Sequence, residues 1–194
     1  ACFGIELTID NIAALYFMDY FGMGLKTAGL VAGGLGYMGV FARTLGGLYG
    51  DKFGLKWGLQ GRVRWLFIVM LCEGLALILF SRMENLALAV GAMMIFGIFV
   101  HMSTGATYSV VPFINKKALG AVAGIVGAGG NFGAVAAGFL FRSEIAWPKA
   151  LLILGVIATA CSFLAMLVRF SAADQEAVEK EMAEHHSNAQ EKSL

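Results

Sequence analysis

The sequence predicts an all-α integral membrane protein with six transmembrane helices, on three observations. Of its 194 residues, 59% are hydrophobic and only 14% charged, with 26 glycines and 15 phenylalanines; a soluble domain cannot hide that much apolar surface. Apolar runs with few charges recur along the chain, each close to the roughly 20 residues that a helix needs to cross the hydrocarbon core. These runs lack the polar face that the surface helices of a soluble bundle require, and they lack the period-two alternation of barrel strands.

The spans are expected at 1–19, 27–50, 64–81, 85–113, 118–141 and 148–169, joined by short connections. The first carries Glu6 and Asp10, which are four apart and so share a helix face. Carboxyl groups inside a membrane either exchange protons or serve as neutral or paired groups in packing, and both readings stand for this pair. The chain opens "ACFGIEL" without an initiator methionine, a basic leader or a cleavage motif, and is expected to begin part-way through a hydrophobic segment. The second span holds Arg43, some eight residues before the following loop. An arginine at mid-span costs about 2.5–3.5 kcal/mol on insertion scales. Snorkelling to the interface, a structural ion pair, or an anion site that uses the paired guanidinium donors would each offset that cost. The same span contains "GLGYMG", Gly34 to Gly39. It matches the dinucleotide fingerprint in letters only, since that fingerprint needs a strand before it and a helix after it.

A charged loop over 51–64 leads to the third span, where Glu73 is a third proton-coupling candidate with no partner in its own segment. The fourth span places His101, Ser103, Thr104 and Thr107 in one polar patch, with Pro112 set to interrupt the helix. The patch either lines a pathway or bonds to its own and neighbouring helices. The fifth span, "GIVGAGGNFGAVAAGFLF", bears two stripes of small residues, Gly120–Gly124–Ala128 and Gly129–Gly133–Ala137. Both suit close helix packing. Packing leaves Asn131 unaccounted for, because a buried amide needs a partner, and the "GAGGN" cluster of Gly127, Gly129 and Gly130 brings peptide groups within reach of a ligand. After the sixth span, residues 171–194 turn abruptly polar and read as a solvated helix or a disordered tail.

Basic residues near the span ends favour one side by seven to four: Lys52, Lys56, Arg62, Arg64, Lys116, Lys117 and Arg169 against Lys26, Arg82, Arg142 and Lys149. The 51–64 loop, the 115–118 loop and the C-terminus are therefore expected in the cytoplasm. The net charge of +1 leaves no basic field for nucleic acid. Cys2, Cys72 and Cys161 lie far apart, without metal-ligand or disulfide spacing. His185 and His186 are adjacent in the polar tail and read as solvated residues, not as metal ligands. No catalytic constellation and no cofactor motif stands out, so the chain is not expected to be an enzyme.

"GGLYGDKFG", Gly46 to Gly54, resembles the loop motif of the major facilitator superfamily, and "GAGGNFGA" resembles the nitrate signature of its nitrate/nitrite porter family. "FGIELTIDN", "FARTLGG" and "VPFINKKALG" are similar, in order and spacing, to stretches of the family's eukaryotic high-affinity carriers. The resemblance implies a twelve-helix fold of two six-helix halves, with residues 1–170 matching helices seven to twelve and 171–194 a cytoplasmic tail. It further implies that Arg43 binds nitrate, that Gly129, Gly130 and Asn131 belong to the signature beside the substrate, and that Phe3 is an aromatic sandwiching it. The family's tyrosine just upstream would fall before residue 1, and the arginine and signature of the first half are absent from the chain. The implied function is transmembrane transport of nitrate, with nitrite as a second substrate, coupled to protons. The implied partners are nitrate, protons, the missing N-terminal six-helix half, an accessory subunit and the lipid bilayer, by analogy that of the plasma membrane. Three alternatives stay open: a nitrate/nitrite exchanger, a nitrate-binding or scaffolding half-protein without transport, and a facilitator-type carrier for another small anion.

Overall fold

The computed structural model describes residues 2–115, 118–142, 145–168, 170 and 175. Lys116, Lys117, Arg169, His185, His186 and most of the polar tail lie outside the described residues. The described chain is helical: α1 (Cys2–Phe21), α2 (Leu25–Phe80), α3 (Leu86–Val110), a 3-10 turn (Val111–Phe113), α4 (Leu119–Arg142) and α5 (Trp147–Ala165).

The loop expected over 51–64 is instead a two-residue break in α2. Backbone dihedrals leave the helical region only at Trp57 (φ −134°, ψ 22°) and Gly58 (φ 64°, ψ −159°), the second lying in a region that is essentially reserved for glycine. The two arms fold back on each other. Trp65 Nε1 donates to the Gly46 carbonyl at 2.9 Å, Arg62 pairs with Asp51, and a Cβ on Gly61 would lie 2.1 Å from the Phe53 oxygen. Helix persists through this charged stretch because its long side chains find local support: Lys52 lies over Tyr49 at 5.2 Å, Lys56 over Trp57 at 4.7 Å and Arg62 over Phe113 at 4.6 Å.

Among the described residues, four elements are long and apolar enough to cross a membrane: α2, α3 with its 3-10 extension, α4 and α5. Helix α1 reaches 20 residues, but Glu6, Asp10 and Asp19 dilute its apolar character. Elsewhere the boundaries follow local chemistry. Asn85 caps α3 by accepting from the Ala87 and Leu88 amides at 2.9 and 3.3 Å. Pro112 ends α3 in the 3-10 turn, as its missing N–H and ring demand. Helix α5 stops at Ala165, short of the boundary expected at 169.

The core joins α1, both arms of α2, α3 and α5 around Phe17, Leu35, Leu77, Met93, Phe96 and Leu151. At one end Tyr16 packs edge-on against Phe80 and Trp147, with ring centroids 5.2 and 5.7 Å away. Glycines set the helix crossings. A Cβ on Gly46 would meet the Met102 carbonyl oxygen at 2.1 Å, and one on Gly105 would meet the Arg43 carbonyl oxygen at the same distance. The first arm of α2 and α3 therefore touch backbone to backbone. Gly74 and Gly155 do the same for the second arm and α5. Helix α4 sits at the margin on α1 with only Gly130 and Ala137 buried, and it turns Ile125, Phe132, Val135 and Phe139 outward.

Candidate functional site

The crossing of α2 and α3 fixes the backbone of Arg43, while its side chain reaches across to α1. Arg43 Nη2 donates to Glu6 Oε1, and the two side chains differ sharply in exposure, 48% against 1%. Thr104 on α3 donates to the other carboxylate oxygen at 2.6 Å. His101, one turn earlier, brings Nδ1 to 3.4 Å from Glu6 Oε1, and its Nε2 lies 3.1 Å from the Leu35 carbonyl oxygen. Of the readings open for Arg43, the ion pair with an acid is present. It leaves part of the guanidinium free, because a carboxylate that also serves Thr104 and His101 engages only some of its five donors.

That free side opens into a cavity of about 620 Å³ lined by Thr44, Gly47, Thr104, Tyr108 and Pro112, with Asp51 and Arg62 at one end. A second cavity, of about 320 Å³, is lined by Cys2, Phe3, Thr107, Ile125, Val126, Gly129 and Gly130, and again by Thr104 and Tyr108. Thr104 and Tyr108 are thus the shared wall, with the guanidinium on one side and the aromatic ring and peptide surface on the other. Gly130 is bare because a Cβ there would sit 2.1 Å from Phe3 Cδ1, and Gly4 is bare because a Cβ would sit 2.8 Å from the Gly130 oxygen. The signature glycine therefore makes the α1–α4 crossing and seats Phe3 in one contact.

Other sequence candidates fall elsewhere. Asn131 is exposed and donates to the Gly127 carbonyl at 3.0 Å, within its own helix; the partner expected for the amide is found for one of its donors in the preceding turn. Neither residue lines either cavity. The Gly120–Gly124 stripe, expected to pack, has open space where side chains would be, whereas a Cβ on Gly133 would lie 3.7 Å from the Gly4 Cα. Among the described residues, only the second stripe meets a neighbour. Glu6 and Asp10 share spacing but not surroundings, Asp10 being exposed. Glu73, without a partner in its own segment, receives a hydrogen bond from Ser103 across the α2–α3 contact. Its Oε1 has no hydrogen-bond partner among the described residues.

The 101–107 patch bonds both locally and between helices: Thr107 donates to the Ser103 carbonyl at 2.8 Å, while Ser103 and Thr104 serve the two buried acids. Sequence reasoning missed this pairing of hydroxyls with acids. The available signal was two adjacent hydroxyls in a span that must lie beside two unpartnered carboxyls. Gly34–Gly39 lies within α2, so the dinucleotide reading fails on context. Among the described residues, no three His, Cys, Asp or Glu side chains gather as a metal site.

The chain is similar to High affinity nitrate transporter 2.5 of Arabidopsis thaliana, 38% identical over 87% of this chain and 34% of that protein. It is also similar to High affinity nitrate transporter 2.7 of the same plant, 40% identical over 73% and 29%. Nitrate/nitrite transporter NrtP of Nostoc punctiforme is 32% identical over 84% and 32%. The chain thus spans about a third of the length of these curated relatives, which are transporters and not enzymes. No solved structure matches it. The sequence pattern of the major facilitator superfamily matches residues 1–193, and with it the glycine-set crossings and the acid–arginine cluster acquire a family: the chain belongs to the major facilitator superfamily.

Proposed function

We propose that this chain forms the C-terminal six-span half of a twelve-helix carrier that moves nitrate across a membrane together with protons. The observation that carries the reading is the half-open Arg43 guanidinium, anchored at its back by buried Glu6 and facing a cavity that shares the Thr104–Tyr108 wall with Phe3, Gly129 and Gly130. A flat, weakly hydrated monoanion suits a planar donor fork next to an aromatic face and bare peptide. The relatives' names supply nitrate as the anion.

Six spans follow from counting α1 and each arm of α2 as one crossing. Each arm exceeds the roughly 20 residues that a crossing requires, and a continuous helix of 56 residues would overshoot the bilayer. Residues 1–170 then make the membrane half and 171–194 a cytoplasmic tail, with the Trp57–Gly58 turn on the cytoplasmic side and the plasma membrane as the location. The outward face of α4, with Phe132 and Phe139, meets lipid or the N-terminal half. Alternating access works by two such halves rocking about a site between them.

The test is Arg43→Lys in the full-length protein, which keeps the charge and loses the fork. Nitrate affinity is expected to fall about tenfold or more, since one tenfold step is about 1.4 kcal/mol and a charge-assisted bond is worth more than that. Uptake with unaltered nitrate affinity would overturn the assignment of Arg43.

A further inference from the structure

His101 has no role in the anion reading above, yet it is the most enclosed basic group beside it. The ring is 2% exposed, and Gly39 is bare against it, since a Cβ there would stand 3.0 Å from His101 Cε1. Its Nε2 lies 3.1 Å from the Leu35 carbonyl oxygen. A carbonyl offers only lone pairs, so Nε2 carries the hydrogen. That settles what the other nitrogen has to do. Nδ1 stands 3.4 Å from Glu6 Oε1 and makes no hydrogen bond with any described residue. A bare Nδ1 against an ionised Glu6 would set two lone pairs face to face in a buried site. One additional proton removes the conflict, either as an imidazolium facing a carboxylate or as a carboxyl hydrogen directed at a neutral ring.

The charges that face this pair are few. On α1, Asp10 is exposed one turn away, and Cys2 is engaged with Thr107 at 3.4 Å. On α2, Arg43 binds Glu6 directly, Glu73 is held by Ser103, and Asp51 and Arg62 pair at the far end of the cavity. Helix α4 brings only Arg142 and α5 only Lys149, both in a terminal turn. The inner cluster of Arg43, Glu6 and His101 therefore sums to zero without the extra proton and to +1 with it, and only the second state is complementary to a monoanion.

We propose that His101 and Glu6 hold one exchangeable proton between Nδ1 and Oε1, and that this proton is the one taken up when an anion binds at Arg43. The inference rests on the Arg43 reading and adds to it the residue that makes binding depend on protons. The proton reduces the hold of Glu6 on the guanidinium and so frees donors for the anion. The bound anion in turn favours the protonated cluster, and the two effects are equal by linkage.

The test is calorimetric titration of nitrate into the purified full-length protein, in buffers of different ionisation enthalpy and over a range of pH. The wild type is expected to take up as much as one proton per nitrate, with Kd rising toward tenfold per pH unit on the alkaline side. His101→Gln, whose amide still donates to Leu35 but holds no further proton, keeps the cluster at zero charge and is expected to bind nitrate more weakly than the wild type does on the acid side, with no proton uptake and a flat pH profile. In proteoliposomes it should lose accumulation driven by a pH gradient, with nitrate counterflow that needs a higher nitrate concentration than the wild type and no longer varies with pH. Wild-type binding of nitrate without proton uptake at any pH would overturn the proposal and leave the anion site standing, whereas absence of nitrate binding would overturn both. If His101→Gln does not fold, the wild-type proton count decides, with Asp10→Asn and Glu73→Gln expected to keep the uptake. Loss of proton uptake in either of these, with nitrate binding intact, would move the proton there and refute the role of His101.

Discussion

Three glycines of the α4 cluster look interchangeable in sequence, and the structure separates them. A Cβ on Gly130 would lie 2.1 Å from Phe3 Cδ1 and 3.0 Å from Phe3 Cε1, while Cβ atoms on Gly127 and Gly129 would meet nothing within 4 Å. Ordinary contact starts near 3.4 Å, so Gly130→Ala requires the phenyl ring to retreat by more than 1 Å. The ring's own first-turn backbone cannot give, because Gly4 already lies against Gly130. Overpacking of this kind costs about 1–3 kcal/mol, set against about 1 kcal/mol gained by placing alanine for glycine in a helix. Gly127→Ala and Gly129→Ala collect the helix gain alone as far as this chain's own packing decides.

Gly130→Ala should therefore denature at a lower temperature than Gly129→Ala, the two differing by about 1–3 kcal/mol. The assay is thermal unfolding of the purified full-length protein, with Phe3→Ala made in each background to complete a double-mutant cycle. Removal of the ring should abolish most of the Gly130→Ala penalty and leave Gly129→Ala unchanged, since the coupling of contacting residues is what such a cycle isolates. Equal unfolding temperatures for the two alanine variants, or a Gly130→Ala penalty that survives Phe3→Ala, would refute the assignment of Gly130 to seating Phe3. Nitrate affinity measured on the same variants adds a second reading. Gly129 lines the cavity with Phe3 and Thr104, so a Gly129→Ala variant that is stable yet binds nitrate weakly places the loss in the site and not in the fold.

Four further outcomes are expected. Gly58→Ala puts a side chain at φ 64°, ψ −159°, and should lose about 1–3 kcal/mol in a denaturation assay. Thr104→Val removes the 2.6 Å donor to Glu6 Oε2 at nearly constant volume, and should cost about 1–3 kcal/mol of stability by leaving a buried carboxylate oxygen short of a partner. Trp65→Phe deletes the 2.9 Å bond to the Gly46 carbonyl that ties the arms of α2, a loss of about 1 kcal/mol that should appear as earlier proteolysis near the Trp57–Gly58 turn. Ser103→Ala should destabilise the protein while Ser103→Ala with Glu73→Leu restores it, because the double change removes the buried acid along with its donor.

The fold was legible where it rests on composition. The apolar runs and Pro112 gave the helices and the end of α3, and the glycine-rich motifs with their spacing gave the family. The 51–64 connection departs from expectation because a run of charges between apolar spans ordinarily signals a loop. Lysines that lie along aromatic rings leave a helix intact, and the turn itself needs one glycine that no periodicity marks. For Asn131 the sequence shows that an amide needs a partner, but not that the carbonyl one turn back lies within 3.0 Å of one of its donors. The contact between Arg43 and Glu6 spans 37 residues. Its partners were visible singly in the sequence, but which acid meets the arginine is decided by the α2–α3 crossing, whose depth depends on glycines that resemble many others in the chain.

That crossing also limits how the site can respond to an anion. The Arg43 carbonyl lies where any side chain at position 105 would have to be, and Gly46, close by on the same arm, lies against the Met102 backbone. Neither backbone can move toward the other, so the main chain that carries Arg43 is fixed from behind. The mobile part is the guanidinium, which is half exposed while its partner Glu6 is buried under Thr104 and His101. An anion at the cavity face can then bind in only two ways: by taking the donors that Glu6 leaves free, or by drawing the guanidinium outward and leaving Glu6 short of charge. The first leaves the Glu6–Arg43 pair intact and ties affinity to pH only through the net charge of the cluster. The second strands a carboxylate at 1% exposure, a state several kcal/mol uphill unless a cation replaces the arginine. His101, with Nδ1 already turned to the same oxygen, is the group placed to become that cation, so outward movement of Arg43 and proton capture by His101 are a single event in this packing.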